Sequence, residues 1–310
     1  MAKFKIKKKI IAIVQARCNS IRLPNKVLKK FDGKPAIEIL YERLNLSKKL
    51  NNIIIATSKN PSNLKLVSFC KEKKFDFFLG SENNVLKRYY DANKKFNADI
   101  IVRITGDSIL IDHNLVDEVI DLFIKKKADY ASNSQPESFP DGLDVEVFSK
   151  KCLNETYKLA KSKYDKEHVT SFIRSSEKFK RVNFKNDKDY SFLRWTLDQR
   201  EDFKIIASII KFFGTKKYFS WKQMLKLTQS NKKKFNTNIQ IKRNEGAMMT
   251  KTQKLWKRAK EIIPGGNMLL SKRPELFLPN KWPAYFIKSK DCNVWDLDLK
   301  KYIDISLMGV

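Results

Sequence analysis

The side chains best placed for chemistry lie in "QARCNSIRLPNK", residues 15–26, directly after an apolar run at Ile10, Ile11, Ile13 and Val14. Arg17, Arg22 and Lys26 are spaced so that one loop can close them round a polyphosphate, and Pro24 stiffens that loop. Backbone N–H groups at a helix entry would add to such a grip. A basic, solvent-facing turn is the competing reading of the same spacing. Two acids shift the balance. "RITGD" puts Asp107 just past a second apolar run, and "LRWTLDQREDF" puts Asp198 just past a third. Two strand-end carboxylates facing a cationic loop suit a magnesium–triphosphate complex, because a hard dication takes a few protein oxygens and completes its shell from phosphate and water. Each acid alone also has a structural reading, Asp198 as the N-cap of "QREDFKII".

The elements that must position these groups are short apolar runs alternating with amphipathic ones. Strands are expected at "KIIAIVQ", "NNIIIATS", "FDFFLG", "DIIVRITGD", "DYASN" and "FLRWTLD". Helical spacing links Ile37, Leu40, Tyr41 and Leu44, then Leu64, Val67 and Phe69, then Val85, Leu86, Tyr89 and Tyr90. A further helix carries Leu115, Val119, Leu122 and Phe123, with Asp112 placed to cap it. Such alternation predicts an α/β fold, a mainly parallel sheet with helices on both faces. Ligands of such sheets sit outside the carboxyl ends of the strands, where both acids and the loop fall.

Residues 1–230 form this domain, and the Lys- and Asn-rich stretch 231–248 reads as a linker. Residues 249–310 carry a new helix pattern, "TQKLWKRAKEII", a "PGG" turn and two short strands joined near Asp298. This small α+β segment has too little core to fold well alone.

The chain has 310 residues, 42% hydrophobic, which is enough to bury a core. Its 64 basic residues outnumber 34 acidic ones, giving a net charge of +30. The excess is mostly lysine scattered through every segment, so a solvated surface with weak, salt-sensitive affinity for polyanions is expected rather than specific nucleic-acid binding. Four cysteines and two histidines show no metal-ligand spacing, which points to reduced thiols in a cytoplasmic protein. The opening residues lack the apolar stretch and cleavage site of a signal peptide. No run approaches a membrane span.

Taken in order, "QARCNSIRLPNKVL", "RITGD", "DGLDVEVF", "DKEHVT" and "LRWTLDQREDF" resemble the spore-coat polysaccharide biosynthesis cytidylyltransferase-like family. That family is related to CMP-KDO synthetase and the acylneuraminate cytidylyltransferases, and the resemblance spans about residues 9–230. It implies a Rossmann-like nucleotide-diphospho-sugar transferase fold. It also implies a reaction in which a sugar hydroxyl attacks the α-phosphate of CTP to give a CMP-sugar and pyrophosphate; with another nucleoside triphosphate as partner the product would be the corresponding nucleoside monophosphate sugar. Carried over by position, Arg17 and Lys26 neutralise the β- and γ-phosphates, Ser20 and Arg22 assist, and Gln15 with Ala16 borders the base. Asp107 and Asp198 hold Mg²⁺. Asp141, Asp144, Glu146, Lys166 and His168 are candidates for the acceptor-sugar pocket. Asp141 beside Gly142 also suits a turn, and His168 a structural hydrogen bond. The chain departs from the family at Asn25, where Gly is usual, at Ser108 and Ile109, where Cys-Pro is usual, and at Thr105, where CMP-KDO synthetases carry Gln.

The tail is similar to the beginning of a class III aminotransferase of the glutamate-1-semialdehyde 2,1-aminomutase kind, on "PGG" and "WDLDLKKYID", with Leu299 where Gly is usual. Those enzymes use a lysine far beyond this segment, so it is not expected to bind pyridoxal phosphate. Two alternatives follow: an aminotransferase, if the tail belongs to a longer protein, or a non-catalytic nucleotide- or polyanion-binding protein. Pairing as a homodimer is left open.

Overall fold

The structure is a computed structural model that describes residues 8–20, 22–215, 218–241, 243, 250–267, 271, 273–278 and 282–304. The chain divides into two compact units, one ending at Gln240 and the other starting at Ile241.

In the first unit, the apolar run after Lys9 is strand β1 (Ile10–Gln15), followed by a small hairpin of β2 (Lys30–Phe31) and β3 (Lys34–Pro35). Then come α1 (Ala36–Leu44), β4 (Asn52–Ser58), α2 (Leu64–Glu72), β5 (Phe77–Gly80), α3 (Val85–Phe96) and β6 (Ile100–Thr105). The chain continues through α4 (His113–Lys125), β7 (Tyr130–Ser132), β8 (Glu146–Ser149), α5 (Lys150–Leu159), α6 (Lys163–His168), α7 (Ser171–Ser175) and β9 (Arg181–Asn183). Helices α8 (Arg200–Phe213) and α9 (Trp221–Ser230) follow. The seven-stranded sheet has the order β5-β4-β1-β6-β8-β7-β9. It is parallel except at β8, which runs antiparallel to both β6 and β7.

Period-2 alternation sorts the strand residues onto two faces. Ile10, Ala12 and Val14 pack with Val102 and Ile104 against residues of α1, α2, α4, α8 and α9. Ile11, Ile13 and Ile101 face α3, α5 and α7, where Tyr89 is fully buried and donates from its hydroxyl to the Ile13 carbonyl at 3.1 Å. Each strand is thus covered on both sides, which is why β1 and β4 read as near-continuous apolar runs. Asp112 caps α4 as expected, accepting from Asn114 N at 2.9 Å.

Several expectations are corrected. "FLRWTLD" is not a strand: it is extended chain with a single bridge, Asp141 to Arg194, and its backbone pairs with loops instead. β8 and β9 are strands that local pattern did not reveal. In α2 the core side is Leu66 and Cys70, while Leu64 is 64% exposed. The stretch taken as linker starts with a short helix, Lys232–Phe235, whose Phe235 is buried in the first unit's core. Residues 242 and 244–249 of that stretch lie outside the described residues.

In the second unit, a helix over Lys251–Ile262 carries a capping box between Thr250 and Gln253. β10 (Phe286–Lys290), β11 (Asn293–Asp296) and β12 (Lys301–Ile303) form a three-stranded antiparallel sheet, one strand more than expected. Leu299, where the resembled family has Gly, sits in the turn at φ 65°, a left-handed conformation that is costly for a branched side chain. Among the described residues no helix is long and apolar enough to cross a membrane.

Candidate active site

The loop after β1 is held from both ends. Cys18 N donates to Asn63 Oδ1 at 2.8 Å, and Asn63 is itself tied to the end of β4 through Ser58 Oγ at 2.8 Å. Asn25 N closes back onto the Cys18 carbonyl at 2.9 Å, and Ser20 Oγ accepts from Leu23 N at 3.4 Å. Asn25 adopts φ 55°. Asparagine is among the few non-glycine residues that tolerate this conformation, so it can stand where the resembled family carries glycine. The bend starts Lys26 into a short 3-10 turn, Lys26–Leu28, anchored by buried Val27.

Lys26 Nζ then lies 2.7 Å from Asp107 Oδ2 and 2.6 Å from Asp198 Oδ1, while Arg22 Nη2 reaches Asp198 Oδ2 at 2.7 Å. Four of the expected site residues therefore meet at one point. Burial would raise the Asp107 carboxyl, but the Lys26 charge and hydrogen bond, helped by Thr105, outweigh it and hold Asp107 at about 2. Burial would lower the Lys26 ammonium, and the two acids outweigh that, so Lys26 is raised.

Backbone geometry explains how two acids so distant in sequence converge. Gly106 N donates to the Gln15 carbonyl at 2.9 Å. A Cβ at Gly106 would stand 2.9 Å from that same oxygen and 3.1 Å from Ala16 Cβ, so only glycine lets the Asp107 turn lie against the first loop. The extended segment before Asp198 is strung between two loops: Trp195 N donates to the Asp141 carbonyl at 2.7 Å and Leu197 N to the Asp107 carbonyl at 3.0 Å. Gly142, at φ 101°, is the close-approach point; a Cβ there would meet Thr196 N at 2.6 Å.

Sequence reasoning missed the support behind Asp198. The N-cap of α8 is Gln199, not Asp198, and Asp202 completes a capping box with it. Asp202 Oδ2 accepts from the backbone N–H groups of Asp198 at 2.9 Å and Gln199 at 2.8 Å. Arg194 grips Asp202 with two nitrogens, at 2.9 and 3.0 Å, and Asp141 at 2.7 Å. Asn238 Nδ2 donates to Asp202 Oδ1 at 2.8 Å and to the Arg194 carbonyl at 3.0 Å. The pattern Arg-x-x-x-Asp-x-x-x-Asp in "RWTLDQRED" was the available signal.

The remaining candidates are placed elsewhere. Arg17 is exposed and makes none of these contacts. Gln15, half-buried, ends β1 opposite Thr105 of β6, and Ala16 is buried. Gln15 Oε1 and Asn19 Oδ1 are buried without a hydrogen-bond partner. Asp141 is committed to Arg194. Glu146 is 4% exposed and pairs with Arg103, opposite it in the sheet, while accepting from Tyr130 and Thr170 hydroxyls at 2.6 Å each. That set of partners gives it a scaffold role. Asp144, Lys166 and His168 are half-buried, the His168 ring tilted 44° against that of Tyr164 at 4.3 Å between centroids. In "DKEHVT" it is Thr170 that reaches Glu146. Val169, a β-branched residue at φ 61° and ψ −57°, forms a strained γ-turn closed by Thr170 N on the His168 carbonyl at 2.6 Å.

A cavity of about 330 Å³ lies apart from these residues, lined by Ile39, Arg43, Ile210, Tyr218 and Phe219 among others. Arg43 spends its N–H groups there on the carbonyls of Leu110, Ile111 and Phe219. That ties α1 to two loops. Among the described residues no three or more His, Cys, Asp or Glu side chains gather to hold a metal, so the site offers two acids only.

The description of a cytidylyltransferase family matches residues 11–257. The chain belongs to the cytidylyltransferase family. It is 39% identical to an uncharacterised protein of Methanocaldococcus jannaschii over 66% of this chain and 84% of that one. It is 30% identical to the spore coat polysaccharide biosynthesis protein SpsF of Bacillus subtilis, over 72% of this chain and 95% of the relative. Among solved structures, a cytidylyltransferase from Leptospira borgpetersenii superposes with a TM-score of 0.71 at 31% identity, covering 74% of this chain and 98% of that one. This cytidylyltransferase is thus a nucleotidyltransferase with the nucleotide-diphospho-sugar fold. The family match runs past the boundary at residue 230 expected from sequence.

Proposed function

We propose that the protein joins CTP to an acidic or related sugar, releasing pyrophosphate and forming a CMP-sugar for surface polysaccharide synthesis. The observation that carries this reading is the three-way meeting of Lys26, Asp107 and Asp198. One cationic atom within 2.7 and 2.6 Å of both carboxylates means that the two acids are close enough to share a cation. Two protein oxygens, with the rest from phosphate and water, match what Mg²⁺ takes in nucleotide sites. Asp107 and Asp198 would hold it. When bound it supplies charge stabilisation at the α-phosphate and the leaving pyrophosphate.

This chain's own residues do the remainder. Arg17, Arg22 and Lys26, with the Ser20 hydroxyl, draw in the β- and γ-phosphates. Buried Gln15 Oε1 is an acceptor suited to a base amino group. The acceptor's hydroxyl oxygen bonds to the α-phosphorus, its proton passes to solvent water, the bond to the bridging oxygen breaks, and pyrophosphate takes the electron pair. The protein supplies positioning and charge, with no covalent intermediate. Asp144, Lys166 and His168 stay as acceptor-side candidates. Spore coat polysaccharide biosynthesis, in the name of the Bacillus relative, supports the product class. Labelled CTP offered with a panel of acidic sugars tests the reading: Mg²⁺-dependent pyrophosphate release is expected, and its loss in Asp107→Ala.

A further inference from the structure

If Asp107 and Asp198 bind a divalent ion, as proposed above, they must first give up the cations they already hold. Lys26 touches both acids, and Arg22 takes the second oxygen of Asp198. We propose that Lys26 is a resident counter-ion that bars the metal from the two acids until a triphosphate draws it away. Metal binding is then conditional on nucleotide.

The charge count argues for this. Asp107 and Asp198 are balanced by Lys26 and Arg22, while Arg194 behind them holds Asp141 and Asp202 directly and lies 3.7 Å from Asp198 Oδ2. A bare dication entering this group would have to displace three direct ion pairs at once and would leave one ammonium and one guanidinium charge beside it. A metal–triphosphate complex arrives with net negative charge and offers phosphate oxygens to the displaced cations. Lys26 is suited to the exchange. Its side chain is only 12% exposed, yet its ammonium sits on a flexible stem whose backbone is pinned by the turn and by buried Val27. Without Lys26, two carboxylates that share one contact atom would repel each other. The consequence is positive coupling: metal and nucleotide each tighten the other's binding by the same factor.

The test uses the full chain and Mn²⁺ as an EPR-visible probe, without nucleotide. Lys26→Met should bind Mn²⁺ at least tenfold more tightly than the wild type, and Lys26→Met with Asp107→Asn should return to the wild-type level. Lys26→Gln gives the same readout if Lys26→Met does not fold. Equal Mn²⁺ affinity in wild type and variant overturns the proposal. A second arm needs no variant: Mg²⁺ alone should leave the wild-type Tm nearly unmoved, while Mg²⁺ with CTP should raise it by several degrees. A rise with Mg²⁺ alone as large as with both also overturns it. Absence of any CTP effect on the wild type would instead overturn the nucleotidyltransferase reading, and the Mn²⁺ comparison would still decide the role of Lys26.

Discussion

Two clusters of paired acids and bases belong to the first unit, and they differ in what they leave open. Around Glu146 the partners are Arg103, Tyr130 and Thr170, and its side chain is 6% exposed. Around Asp107 and Asp198 the side chains keep 22% and 15% exposure, and the partners are long cations on a loop. The first cluster is closed by donors from neighbouring strands and a strained turn, so it fixes β6 to β8. The second is closed by groups that a triphosphate would compete for. Fixed partners make a scaffold, and exchangeable partners make a site.

The sharpest way to separate the clusters is to remove one acid from each. Asp198→Asn or Asp107→Asn should lower kcat/KM for pyrophosphate release by about a thousandfold, roughly 4 kcal/mol of transition-state stabilisation, with a fall in Tm of only several degrees. Glu146→Gln should do the opposite. Leaving Arg103 buried beside a neutral group should cost on the order of 3–5 kcal/mol in urea unfolding, while the fraction that remains folded keeps its affinity for CTP. Replacing both members, Arg103→Met with Glu146→Leu, should recover only part of that loss, because the apolar pair carries no desolvation cost but leaves the Tyr130 and Thr170 hydroxyls without their acceptor.

A smaller effect is expected one layer behind the site. Arg194→Lys keeps the charge but loses the two-nitrogen grip on Asp202, which orients the Asp198 backbone. The expected result is about a tenfold fall in kcat, and Arg194→Lys should show a larger fractional change in kcat than in the KM for CTP.

A further effect is in the pH dependence of stability. Asp107 is held at about 2, below its ordinary 3.8, so between those values the folded protein binds fewer protons than the unfolded chain. Its contribution is therefore full above about pH 4 and lost as pH falls through about 2. Lys26 is raised above its ordinary 10.5, so its contribution is full below that value and lost only as pH rises past the raised one. Asp107→Asn should flatten the acid limb by on the order of 2 kcal/mol in pH-dependent unfolding. The Glu146 pair should keep its own acid dependence in that variant.

Much of this was legible in the amino-acid sequence, for identifiable reasons. The strands buried on both faces announce themselves as apolar runs, and the first loop and Asp107 follow directly from them. Asp112 reads as a cap because capping is local. What failed was whatever depends on partners remote in sequence. Residues 192–198 look like a strand, yet their backbone groups are satisfied by loops at Asp107 and Asp141, which no periodicity reveals. Glu146 looks like a pocket residue until Arg103 is seen opposite it across the sheet. Asp202 and Asn238 carry no motif of their own, and their roles appear only once Arg194 is in place.

Calorimetric titration of CTP with Mg²⁺ into the wild type and into Asp107→Asn, both confirmed folded, puts the shared-cation geometry to its most direct test. The account predicts Mg²⁺-dependent binding in the wild type that weakens at least a hundredfold in the variant. Equal, metal-independent binding by both proteins would contradict it.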